Sequence, residues 1–172
     1  MKKRLFIVML ILALLISGCV KDEPQVAETG SVTDSAVSAA ETERNETSGY
    51  DISSVDAYLA SVEEQAGAIK YSLDNEVLNQ NEMNMKSLDL YNLWDGALNY
   101  LWGELKAVLP EDEFTALLSE QLIWIEEKET EQKEAAGEFE GGSLYPFIFN
   151  GRGAAVTEER VYELYDILMQ AV

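Results

Sequence analysis

One cysteine and no histidine leave this chain few ways to make or break a covalent bond. Without histidine there is no imidazole base, no Ser-His-Asp or Cys-His relay, and no histidine ligand for zinc. Carboxylates remain: 32 acidic against 12 basic side chains, a formal net charge of −20. Two carboxyls in one cleft, one with a raised pKa, are what a glycosidase needs. The acids here stand in polar runs, which read as a solvated face. Gly151-Arg152-Gly153 is too short for a phosphate-binding loop and reads as a surface turn. Asp74-Asn75-Glu76 lacks the glycine and the terminal glutamate of a calcium loop. Neither a metal nor a cofactor is expected, and the chain does not read as an enzyme.

The chemistry that does stand out is at Cys19. Lys2, Lys3 and Arg4 precede an unbroken apolar run from Leu5 to Ile16, followed by Ser17, Gly18 and Cys19. That order describes a secretory signal. The run is short for a permanent anchor, since a spanning helix needs roughly 20 apolar residues. The stretch Leu15-Ile16-Ser17-Gly18-Cys19 resembles a bacterial lipobox. The resemblance implies cleavage before Cys19 and acylation of its thiol and new amino group, with palmitate-type chains holding the protein on the extracytoplasmic face of the cell membrane. Cleavage also removes the three leader cations, taking the net charge of −20 to near −23. Such a field speeds encounter with a cationic protein. It disfavours nucleic acid, whose phosphates need a basic patch.

These readings divide the chain into a leader at 1–18, a lipid-bearing cysteine with a flexible acidic tether at 19–49, and a domain at 50–172. The tether is rich in Ser, Thr, Glu and Ala and has no aromatic residue, too little apolar surface to offset its ordering entropy. All eight tyrosines and all three tryptophans lie at or after Tyr50.

The domain reads as all-α, an antiparallel bundle of three to four helices. Val55, Leu59, Val62, Ala66, Ile69 and Leu73 step by three and four, with Ser53 or Ser54 as the cap. Four asparagines between 75 and 84 suggest a break. A second helix is expected from Met85 to Leu109, stopped by Pro110. A third should span Glu111 to Ala136, with Phe114, Leu117, Leu118, Gln121, Leu122, Trp124 and Ile125 as its apolar half, ending at Gly137 or at Gly141-Gly142. Residues 143–156, with Pro146, Gly151 and Gly153, read as a loop whose Phe147-Ile148-Phe149 packs inward. Thr157 would cap the last helix. Asp95 and Asn99, four apart, share a face, as do Gln121, Trp124 and Lys128. Polar residues among apolar ones suggest hydrogen bonds between helices.

The order Met83-Asn84, Tyr91, Asp95, Leu98-Asn99, Leu101, Leu105 resembles the opening of the lysozyme inhibitor LprI-like domain of bacteria. The resemblance continues through Gln121, Trp124-Ile125 and Lys128, with lysine where the family usually has arginine. It runs on through Gly141-Gly142-Ser143 to Thr157, Arg160 and Leu164, covering about residues 83 to 168. Gly142, Ser143, Thr157 and Arg160 are thus family-motif positions with structural roles expected. Family members usually carry cysteines able to staple helices. This chain has none after Cys19, so its bundle must rely on packing, helped by an extra helix at 51–74.

The function this implies is a membrane-anchored lipoprotein that binds and inhibits a cationic lysozyme-type muramidase. Residues 111–140 hold 11 acidic and two basic residues. Glu126, Glu127, Glu131 and Glu134 are the expected partner contacts, or a carboxylate or aromatic offered by the 141–153 segment. The alternative is a non-inhibitory envelope binding or scaffolding module with an exposed apolar patch around Tyr145 to Phe149.

Overall fold

The computed structural model describes residues 50–172. The expected leader, Cys19 and the tether lie outside the described residues. Four helices account for nearly all of the rest: α1 (Ser53–Asn75), α2 (Gln80–Val108), α3 (Glu111–Ala136) and α4 (Tyr145–Ala171), with one 3-10 turn at Gly137–Phe139. No strand occurs among the described residues.

Each helix start has a local cause, and three of them correct the sequence reading. The Asp51 carboxylate, rather than Ser53 or Ser54, closes the front of α1, accepting the Ser53 N–H at 3.0 Å and the Ser53 hydroxyl at 2.5 Å. α2 begins five residues earlier than Met85. Asn79 accepts the Glu82 N–H at 3.1 Å while the Glu82 carboxylate accepts the Asn79 N–H at 2.8 Å. This reciprocal pair caps a helix wherever Ser, Thr, Asn or Asp stands three residues before Glu. The asparagine-rich stretch that reads as a break thus holds a cap. Pro110 ends α2 and opens α3, whose Glu111, Asp112 and Glu113 sit where the helix dipole favours negative charge.

The largest correction is α4. The segment 143–156 is not a loop: α4 starts at Tyr145, with Pro146 in its first turn, where a missing N–H costs nothing. Thr157 is therefore not a cap but a fully buried residue in the middle of a 27-residue helix. Phe147, Ile148 and Phe149 are only half-buried. The turn before α4 is set by Gly141, whose φ of 76° favours glycine. The Gly142 N–H then bonds the Phe139 carbonyl at 2.9 Å. The Ser143 carbonyl accepts Asn84 Nδ2 at 3.0 Å, fastening the turn to the start of α2.

Side-chain pairs fix the arrangement. Tyr58 meets Tyr100, Trp102 meets Phe114, Arg160 meets Gln121, and Tyr165 meets Asp56. Successive helices are therefore antiparallel, while α2 and α4 run the same way. These two make the most extensive contact, and α1 and α3 flank them. The core is Val55, Leu59, Val62 and Ala66 of α1, Leu90, Trp94, Leu98, Leu101 and Leu105 of α2, and Ala154, Val161, Leu164 and Leu168 of α4. From α3 it takes only Leu117.

That asymmetry corrects part of the expected apolar half of α3: Leu117 and Gln121 are buried and Phe114 and Trp124 half-buried. Leu118, Leu122 and Ile125 face outward, and the buried line is Leu117, Gln121, Lys128, Gln132 and Ala136. Period-3.6 reading finds an apolar stripe but assumes that it faces the core. Here polar side chains take the inward line because α4 and α2 offer them polar and aromatic partners.

Candidate functional site

Two features of α3 bear on function: the polar seam on its inner side and the acidic, partly apolar surface on its outer side.

The seam gathers residues from three helices. Arg160 of α4 donates from Nε to Gln121 Oε1 at 3.0 Å, and from one terminal nitrogen to Glu163 at 2.9 Å. Its other terminal nitrogen is buried without a partner. Lys128 Nζ donates to the Tyr91 hydroxyl at 2.9 Å and lies 5.3 Å from that ring and 5.1 Å from the Trp124 ring. The Arg160 guanidinium lies 5.9 Å from the Trp124 ring. Two cations thus share one indole, and each gains from the negative face of an aromatic ring. Lys128 is 8% exposed and Arg160 9%, yet the one carboxylate in reach is Glu163. Burying a charge costs several kcal/mol unless it is partnered, so the rings and Gln121 are what make this seam tolerable.

Gln132 extends the seam by donating to the Phe149 carbonyl at 3.3 Å. A Cβ on Gly153 would lie 2.2 Å from Gln132 Nε2 and 3.1 Å from the Tyr91 ring, so any larger residue would have to push the Gln132 amide aside. Sequence reasoning singled out Gln121, Trp124, Lys128 and Arg160 but neither Gln132 nor Gly153. The available signal was spacing: Gln132 continues the line of Gln121 and Lys128 by one more turn.

Asp95 and Asn99 stand apart from the seam. Their hydrogen bonds run within α2, from Asn99 Nδ2 to the Asp95 carbonyl at 2.9 Å and to its carboxylate at 3.1 Å. Asn99 is exposed. Thr157 Oγ1 is buried and has no partner among the described residues.

The outer side carries the acids. Glu126, Glu127 and Glu131, with Ile123 and Thr130, line a shallow open depression. Glu134 lies on the same face by spacing. Glu131 is paired with Arg152 of α4. Glu126, Glu127 and Glu134 form no ion pair with any described residue. No group of three metal-ligating side chains occurs among the described residues, and the two carboxylates that line one pocket between α1 and α4, Asp56 and Glu63, accept hydrogen bonds from Tyr165 and Tyr162. What the surface can do is attract and hold positive charge.

No curated protein and no solved structure matches the chain. A family described as Lysozyme inhibitor LprI matches residues 74–164, which takes in α2, α3 and most of α4, including the whole seam. That segment is more than half of the 172 residues, and the chain belongs to the lysozyme inhibitor LprI family.

Proposed function

We propose that this protein is a lipid-anchored envelope protein that captures a cationic lysozyme-type muramidase and occludes its substrate cleft. The observation that carries the reading is the outer face of α3, where Glu126, Glu127 and Glu134 pair with no basic side chain among the described residues, in a member of an inhibitor family. A field of one sign draws in an oppositely charged protein from beyond contact range, and unpaired carboxylates can meet incoming Lys and Arg without first giving up internal bonds. The seam beneath them holds α3 against α2 and α4, so that the acids stand on a rigid rod. Anchoring through Cys19 would keep the inhibitor at the cell surface, where an attacking muramidase arrives. Among the described residues no helix is long and apolar enough to cross a membrane, so attachment rests on that cysteine in this reading.

The test is binding of the purified protein to basic muramidases at low and physiological salt, with lysis of cell walls read in parallel. Tight binding with loss of lysis is expected, and association should slow about tenfold or more as salt rises. Binding that leaves lysis intact would reduce the acidic face to general charge attraction. Absence of binding even at low salt would remove the inhibitor reading.

A further inference from the structure

A different side of α3, turned away from Glu127 and Glu134, carries a line of exposed apolar side chains that the bundle does not use. Leu118, Leu122 and Ile125 follow one another at steps of four and three, the spacing that puts side chains in a single row and makes the seam between paired helices. They are 42%, 58% and 37% exposed. The inward line of α3 is made by other residues, so core packing gives no reason for this row to be apolar. Water-facing leucine and isoleucine at helical spacing on an otherwise charged helix mark a contact surface.

The charge around the row narrows what can cover it. α3 holds nine acidic residues and two basic ones. Of the two, Lys128 is buried and Lys133 is tied to Glu129 at 3.2 Å. A second copy docking through the same row would bring two sets of nine carboxylates together, and an anionic membrane surface would meet the same repulsion. The fitting occupant carries apolar side chains at its centre and Lys or Arg around them.

We infer that the row Leu118, Leu122, Ile125 is the apolar contact that holds the basic muramidase once the acids have attracted it. This inference rests on the inhibitor reading above and names the surface through which it works. The acids and the row then have separate duties. Unpaired carboxylates act at a distance and set the association rate. The apolar row acts only at contact, where burying side chains from water lengthens the life of the complex.

The experiment follows association and dissociation of the purified protein with a basic lysozyme-type muramidase, comparing wild type with two variants. In the first, Leu118→Ser, Leu122→Ser and Ile125→Ser are combined. In the second, Glu126→Gln and Glu127→Gln are combined. The apolar variant should dissociate about tenfold faster or more with little change in association rate. The carboxylate variant should do the reverse. Helicity by circular dichroism serves as the fold control, and Leu122→Gln alone, at the most exposed of the three positions, keeps the test readable if the triple variant loses helix. Wild type that binds and inhibits while both apolar variants dissociate at its rate would overturn this inference and leave the inhibitor reading standing. Wild type that binds no basic muramidase would remove both. A wild-type dimer that Leu122→Gln converts to monomer would assign the row to self-association and overturn the inference by itself.

Discussion

At the scale of single residues, the chain's cations are too few to be spent casually, and two of its 12 are buried in one seam. Lys128 and Arg160 look alike there but should behave differently on removal. Lys128 makes one neutral hydrogen bond and lies against two rings. Leu or Met of similar length could fill its place, and replacing a buried charge by an apolar side chain of similar volume is often neutral or stabilising. Arg160 supports Gln121, which is 5% exposed. Its loss would leave that amide buried without a partner, at about 1–3 kcal/mol, besides opening a cavity beneath Trp124. We therefore expect Lys128→Met to change the thermal midpoint little or raise it, and Arg160→Ala to lower it by several degrees, both read by circular dichroism melts. Equal losses would mean that the lysine's charge itself stabilises the seam. Gln121, Lys128 and Arg160 were visible in the sequence because polar residues interrupt apolar rows. Their partners were not: Tyr91 reads as core, and Gly153 reads as a turn until the neighbour it must clear is known.

At the scale of elements, the start of α3 is legible in the sequence because Pro110 and a run of acids mark it, and Gly137, one of the two ends the sequence offers, follows its last residue. The start of α4 is not, because Pro146, Gly151 and Gly153 carry the same letters in a loop as in a helix. Proline is favourable in a first turn, and a glycine is kept inside a helix when another chain passes too close for a Cβ. The two glycines separate these causes. Around Gly151 nothing lies within 4 Å of an added Cβ, whereas at Gly153 the Gln132 amide and the Tyr91 ring occupy the space. Gly151→Ala should stabilise by about 0.5–1 kcal/mol, the ordinary gain of alanine inside a helix. Gly153→Ala should destabilise by about 1–3 kcal/mol as Gln132 is pushed off the Phe149 carbonyl. Denaturant titration of the two variants checks the opposite signs. The same logic explains why the sequence groups the outward row of α3 with its buried residues as one apolar half. Periodicity shows which residues share a face but not which way the face points.

At the scale of the whole molecule, a bundle with no disulfide among its helices must be fastened in other ways, and α1 with the residues just before it, of which only Asp74 and Asn75 fall in the family match, supplies several. Tyr50 bonds the Glu104 carboxylate, Tyr162 bonds Glu63 at 2.7 Å and Tyr165 bonds Asp56 at 2.7 Å, while Lys70 pairs with Glu158 at 2.7 Å. A phenol that donates to a carboxylate resists losing its proton. Partial burial, then the Glu63 bond, pushes Tyr162 from 10.0 up to about 12. The bond to Asp56 raises Tyr165, and burial with Glu104 raises Tyr50. Above pH 10 the unfolded chain releases these protons while the folded one keeps them, so the stabilisation is full below about pH 10 and lost as pH climbs through about 12. The midpoint should therefore fall across that window, and less steeply in a Tyr162→Phe, Tyr165→Phe double variant. Salt should act in the opposite sense on folding and on partner capture. With −20 on the chain and only four ion pairs among the described residues, compaction works against self-repulsion more than it gains from attraction. Near 0.1 M the screening length is about 10 Å, enough to damp repulsion between helices while leaving the buried seam untouched. Raising sodium chloride from about 0.01 to 0.5 M should lift the midpoint by a few degrees, since roughly 1 kcal/mol shifts a domain of this size by about 3–6 °C. Over the same range association with a basic muramidase should slow. A midpoint that falls with salt would show that the exposed pairs outweigh the repulsion, and would shift the explanation of the acidic surface from partner capture toward internal stability.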